Sequence, residues 1–146
     1  MGTHMGQSPA NHVTLESTIV GNFITPTDLH LRRINANGTV APLDAPPFSI
    51  DPGLALVVTD VDWWYRSGTP GETQILNIDL QNLSARESHT VFNSAITLNN
   101  KGDGVTTEAM TSGFVVNEGG RILMSNFPGG GIIQRVIVRG YLCPNT

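Results

Sequence analysis

The sequence predicts an all-β protein, a β-sandwich of about eight antiparallel strands and most naturally a jelly roll. Three observations carry that expectation. No stretch holds a helical period long enough to matter; short runs rich in Val, Ile, Thr and aromatic residues recur instead, each closed by Gly, Pro, Asn, Asp or Ser. The connections differ widely in length, which suits a sandwich better than the even meander of an up-and-down barrel. Finally, a chain of 146 residues with 39% hydrophobic content and a mean hydropathy of -0.03 can bury a core without staples.

Taken in order, Val13 to Val20 reads as a first strand, ended by Gly21-Asn22. Leu29 to Ile34 is the second, after the turn Thr25-Pro26-Thr27-Asp28, and Asn37-Gly38 then signals a hairpin. Val40 to Pro47 carries Pro42, Pro46 and Pro47, which lack backbone donors, so it is a loop outside the sheets. The organising strand is Leu54 to Tyr65, bracketed by Asp51-Pro52-Gly53 and Ser67-Gly68-Thr69-Pro70-Gly71. Simple alternation gives it bulk on both faces, with Leu54, Leu56, Val58 and Trp64 on one and Val57, Val61, Trp63 and Tyr65 on the other. Such a strand belongs in the middle of a sheet.

Gln74 to Leu80 alternates cleanly, apolar Leu76, Ile78 and Leu80 against polar Asn77 and Asp79, and His89 to Leu98 follows after a polar connection. Val105 to Val116 is ambiguous at its start, where a helical turn is tolerated, and strand-like at Phe114-Val115-Val116. Asn117-Glu118-Gly119-Gly120 reads as a tight hairpin into Arg121 to Phe127, and Pro128-Gly129-Gly130-Gly131 leads into Ile132 to Leu142.

That last strand offers Ile132, Val136, Val138 and Leu142 to a core. Its second face, Ile133, Arg135, Ile137, Arg139 and Tyr141, interleaves Arg and Tyr with aliphatic residues, the composition of protein–protein interfaces. With Trp63 and Tyr65 of the organising strand, Arg135, Ile137, Arg139 and Tyr141 are the expected oligomer interface of a closed ring, a trimer by preference. The plainer alternative puts these residues beneath the long loops.

Composition narrows the function classes. Charged residues make up 14% of the chain, against roughly 25% in ordinary soluble domains. With 8 basic and 12 acidic side chains the formal charge is -4, which argues against nucleic acid bound through phosphate contacts and against an anionic membrane surface. Cys143 stands alone, so neither an intramolecular disulfide nor a cysteine zinc site can form; it is free or bridges to another chain. Met1-Gly2-Thr3-His4-Met5 reads as an expression scar, which makes 1–12 a scar and flexible arm and 13–146 one sandwich domain.

The chemistry-bearing residues are few. Asp60 and Asp62, two apart on a strand, face the same side, and Trp64 continues that face. Paired carboxylates beside an aromatic ring can bind a sugar, the acids taking hydroxyl hydrogens and the ring stacking on the apolar pyranose face. They could also hold calcium, or simply pair with Arg66, Arg135 or Arg139. A glycosidase would need two carboxyls across a cleft, one with a raised pKa, and two acids on one strand do not make a cleft. The histidines lack paired metal-ligand spacing, no serine occupies a Gly-x-Ser-x-Gly elbow, and the glycine clusters precede no helix. No catalytic residue, metal or cofactor is therefore expected.

The run Gly120-Arg121-Ile122-Leu123 through Gln134-Arg135-Val136-Ile137-Val138-Arg139-Gly140-Tyr141-Leu142 resembles the end of the trimeric jelly rolls of the tumour-necrosis-factor or complement-C1q kind. The resemblance covers the C-terminal third and implies architecture, not functional residues. The sequence thus favours a non-catalytic recognition or assembly module, a homo-oligomer acting outside the cell or at its surface, with carbohydrate the first ligand to try through Asp60, Asp62 and Trp64. The alternatives are a structural subunit of a shell, fibre or virion, and a glycoside hydrolase using Asp60 or Asp62.

Overall fold

A computed structural model describes residues 11–145. Of the scar and arm expected over 1–12, residues 1–10 lie outside the described residues, and His12 belongs to the first strand and not to an arm. The nine strands are β1 (His12–Ser17), β2 (Thr27–Asp28), β3 (Leu31–Ile34), β4 (Leu54–Arg66), β5 (Thr73–Asn82), β6 (Ser88–Thr97), β7 (Gly104–Asn117), β8 (Gly120–Phe127) and β9 (Ile132–Pro144). All pair antiparallel, in a five-stranded sheet ordered β3-β1-β9-β4-β7 and a four-stranded sheet ordered β2-β8-β5-β6. Eight are the runs read from the sequence, and the ninth is the two-residue β2. From β6 onward every connection passes from one sheet to the other, which is the jelly-roll pattern.

Sheet-switching corrects three expectations. Leu29 to Ile34 is not one strand: His30 has φ 46, and there the chain leaves β2 in the four-stranded sheet for β3 in the five-stranded one. The turn at Glu118-Gly119 is not a hairpin, because β7 pairs only with β4 while β8 pairs with β2 and β5. The ambiguous stretch at Val105 is strand throughout, its register broken where residues 110–113 of β7 stand opposite Thr59 alone.

Against β9 the same point is a β-bulge in β4, with Thr59 between the pairs Val58–Gly140 and Asp60–Arg139, and it reassigns the faces of the organising strand. With Thr59 as the extra residue, Leu56 and Val58 before it and Val61, Trp63 and Tyr65 after it all enter the core. Glycine on both neighbouring strands makes room. A Cβ at Gly140 of β9 would overlap the Val57 carbonyl, and one at Gly113 of β7, where φ is 76, would overlap that of Val58. A second register shift pairs Tyr65 with Ile133 and Arg66 with Ile132, so Ile133 is the core residue and Ile132 faces out, the reverse of the sequence expectation.

The core lies between the sheets, from Val13, Leu15 and Leu56 through Val61, Trp63, Val136 and Val138 to Leu76, Ile78 and Met124 opposite. Polar groups buried with it are paired. Trp63 Nε1 donates to Ser94 Oγ at 2.9 Å. Under the glycine loop after β8, Gln74 both donates to the Gly129 carbonyl (2.9 Å) and accepts from its N–H (3.0 Å), while Tyr65 Oη accepts from Gly131 N–H at 2.8 Å. Burial holds the Tyr65 phenol above its ordinary pKa.

Candidate functional site: the outer face of the five-stranded sheet

Strand order and the β4 bulge together set the composition of one outer surface. Because the faces are exchanged at Thr59, Asp60, Asp62 and Trp64 point away from the core beside Arg135, Ile137, Arg139 and Tyr141 of β9. Register then builds rows across the sheet. One runs Arg32, Glu16, Ile137, Asp62, Thr107 from β3 to β7, and the next holds Thr14, Arg139, Asp60 and Ala109. A third places His12, Tyr141, Val57 and Val115 side by side, and at the other end Arg135, Trp64 and Val105 form a row next to Ile132.

Two ion pairs form on this face. Arg139 Nη2 donates to Asp62 Oδ2 at 2.7 Å, and Arg32 Nη2 donates to Glu16 Oε1 at 3.1 Å. The Arg139 hydrogen bond holds the Asp62 carboxyl below its ordinary pKa of 3.8 against the opposing effect of burial, with the Thr107 hydroxyl assisting. Asp60 accepts from Thr59 Oγ1 at 2.6 Å. The Arg135 guanidinium sits 4.7 Å from the Trp64 ring centroid, in cation–π contact. Between these pairs stand apolar side chains, some well exposed, Val105 and Val115 among them.

Trp63 and Tyr65 do not belong here. Both are fully buried, 0% exposed, against 37% for Trp64, so two of the six residues expected at an oligomer interface are core residues instead. Alternation counted through a bulge assigns a face wrongly, although Asp60, Asp62 and Trp64 lie beyond the bulge together and keep their common side. Sequence reasoning missed Val57, Val105, Val115, Ile132 and the Arg32–Glu16 pair. The last could be found only by pairing β1 with β3, which lie on either side of a sheet switch.

The electrostatics of Asp62 do not suit a general acid. A glycosidase acid needs a raised pKa, whereas Asp62 is shifted down and neutralised by Arg139. Among the described residues no three His, Cys, Asp or Glu side chains gather as a metal site. No described helix is long and apolar enough to cross a membrane.

Neither a protein-family model nor a curated protein sequence matches the chain. Solved structures do. The Eiger tumour necrosis factor of S. frugiperda is similar with a TM-score of 0.55 at 12% identity, over 93% of this chain and 94% of that one. Murine APRIL at pH 5.0 is similar with a TM-score of 0.51 at 10% identity, over 88% of this chain and 98% of that one. At such identity the likeness is one of fold, a tumour-necrosis-factor-like jelly-roll sandwich.

Proposed function

We propose that this protein is a non-catalytic recognition and assembly module, working outside the cytoplasm as a homotrimer whose subunits meet through the outer face of the five-stranded sheet. The observation that carries the reading is the state of that face: aliphatic and aromatic side chains are exposed between charges of which four form ion pairs within the subunit. Pairing within the subunit lowers the desolvation cost of Arg139, Asp62, Arg32 and Glu16 relative to lone ions, and burial of the apolar side chains supplies the gain. Three copies are favoured by the resemblance of the C-terminal strands to trimeric jelly rolls, and the similarity in fold to Eiger and APRIL supports the same choice.

Carbohydrate binding at Asp60, Asp62 and Trp64 is the weaker reading. Arg135 already lies over the Trp64 ring, and the Asp62 carboxylate is engaged by Arg139, so a sugar would have to displace both. Light scattering after size exclusion at micromolar concentration tests the proposal. It predicts a mass three times the 15.6 kDa of the chain, and a clean 15.6 kDa monomer would overturn it.

A further inference from the structure

A cavity of about 390 Å³ opens at the end of the sandwich where the proline loop crosses, well away from the outer face discussed above. That volume falls in the roughly 300–1,000 Å³ range of small-molecule sites. Its walls come from both sheets: Leu15, Leu31 and Leu56 from the five-stranded sheet, with Ile122 of β8 opposite. Phe48 and Ile50, which follow the proline loop, close one side, and the segment is tied down by Phe48 N–H donating to the Leu31 carbonyl at 2.7 Å. Leu83 stands at the rim with 45% of its surface exposed, held by its N–H to the Gly119 carbonyl.

The polar groups of the lining define what could enter. They include Asp28, Glu118 and Arg121. Arg121 Nη1 donates to Asp28 Oδ2 at 3.2 Å, and the exposed Glu118 carboxylate at the rim adds a screened negative charge that disfavours an anionic guest. Arg121 Nε is covered by protein and turned away from the opening, so the cavity wall itself is apolar and its polar groups stand at the mouth. We propose that this cavity binds a small, uncharged, mainly apolar molecule of the aliphatic alcohol class, its chain between the sheets and its hydroxyl at the mouth beside the Asp28 and Glu118 carboxylates.

Fluorescence titration of the whole protein with the neutral dye N-phenyl-naphthylamine tests this, with decanol and decanoate as competitors at neutral pH. The expected result is saturable enhancement, displaced by decanol and at least about tenfold less effectively by decanoate. Filling the cavity with Ile122→Trp, or its mouth with Leu83→Trp, should weaken dye binding by about tenfold or more. Leu83 is exposed, so that variant keeps its fold, to be verified by an unchanged circular dichroism spectrum. The inference is overturned by non-saturable dye response, by decanoate competing as well as decanol, or by a folded Leu83→Trp protein that binds as the parent does.

Discussion

The two sheets of this sandwich turn very different faces to the outside. On the four-stranded sheet, β5 and β6 present Asn77, Asp79 and Gln81 beside Asn93, Thr90 and Ser88, with Ser125 of β8 alongside. Its hydrogen bonds are local and wet, such as Thr90 Oγ1 donating to Asp79 at 2.7 Å in an exposed setting. On the five-stranded sheet the corresponding surface carries Trp64, Val105, Val115, Ile137 and Tyr141 and two ion pairs. The four-stranded face is polar along most of β5 and β6, with an apolar row at Phe127 and Ile75, whereas the five-stranded face spreads apolar side chains across β4, β7 and β9 between its ion pairs.

The sharpest way to break that contrast is to place one charge on each face. Ile137 lies between Glu16 and Asp62, so Ile137→Lys puts a cation where a lone subunit tolerates it and an apolar interface does not. Sedimentation should show the variant dissociating, with affinity weakened by more than about tenfold, while Asn77→Lys on the four-stranded sheet leaves the mass unchanged. If the two variants behave alike, the faces are equivalent and the contrast is empty.

Stability should follow the two sides of β4. Trp63→Ala removes a fully buried ring and its hydrogen bond to Ser94, an expected loss of about 3–5 kcal/mol in chemical denaturation. Trp64→Ala, measured in the dissociated Ile137→Lys background, should cost only about 1 kcal/mol, the scale of an exposed cation–π contact.

Acid and alkali then address those sides separately. Asp62 has a lowered folded pKa, so its contribution is complete above its unfolded value and is lost as pH falls through the lower folded one. Arg139→Ala should cost about 1 kcal/mol at neutral pH, since Arg139 is 40% exposed and screened, and should flatten the loss of stability below about pH 4. Tyr65 is raised above 10.0, so its contribution is complete below that value and fades as pH rises through the higher folded one. Tyr65→Phe should cost about 1 kcal/mol at neutral pH, by orphaning the Gly131 N–H, and remove the alkaline limb. The smallest effect belongs to the wet face, where Asp79→Asn should change stability by less than about 0.5 kcal/mol.

Much of this was legible in the chain itself. Runs bounded by turn residues give the eight longer strands, and the clean alternation of Gln74 to Leu80 places Leu76 and Ile78 inside. The grouping of Asp60, Asp62 and Trp64 survives because all three follow the bulge. What stayed hidden depends on neighbours distant in sequence. The Thr59 bulge is accommodated by Gly113 and Gly140, which nothing local links to Val58, and it sends Trp63 and Tyr65 inward together with Leu56 and Val58. Likewise Gly119 makes a tight turn whether its flanking strands pair or part, so only the sheet order shows that β7 and β8 separate.

The most direct test of the account is hydroxyl-radical footprinting of the two faces across a dilution series. Trp64 and Tyr141 should be protected at micromolar concentration and become reactive on dilution or in Ile137→Lys, while Phe127, exposed on the four-stranded sheet, reacts throughout. Trp64 reacting equally at every concentration and in both proteins would contradict the assignment of the five-stranded face to self-assembly.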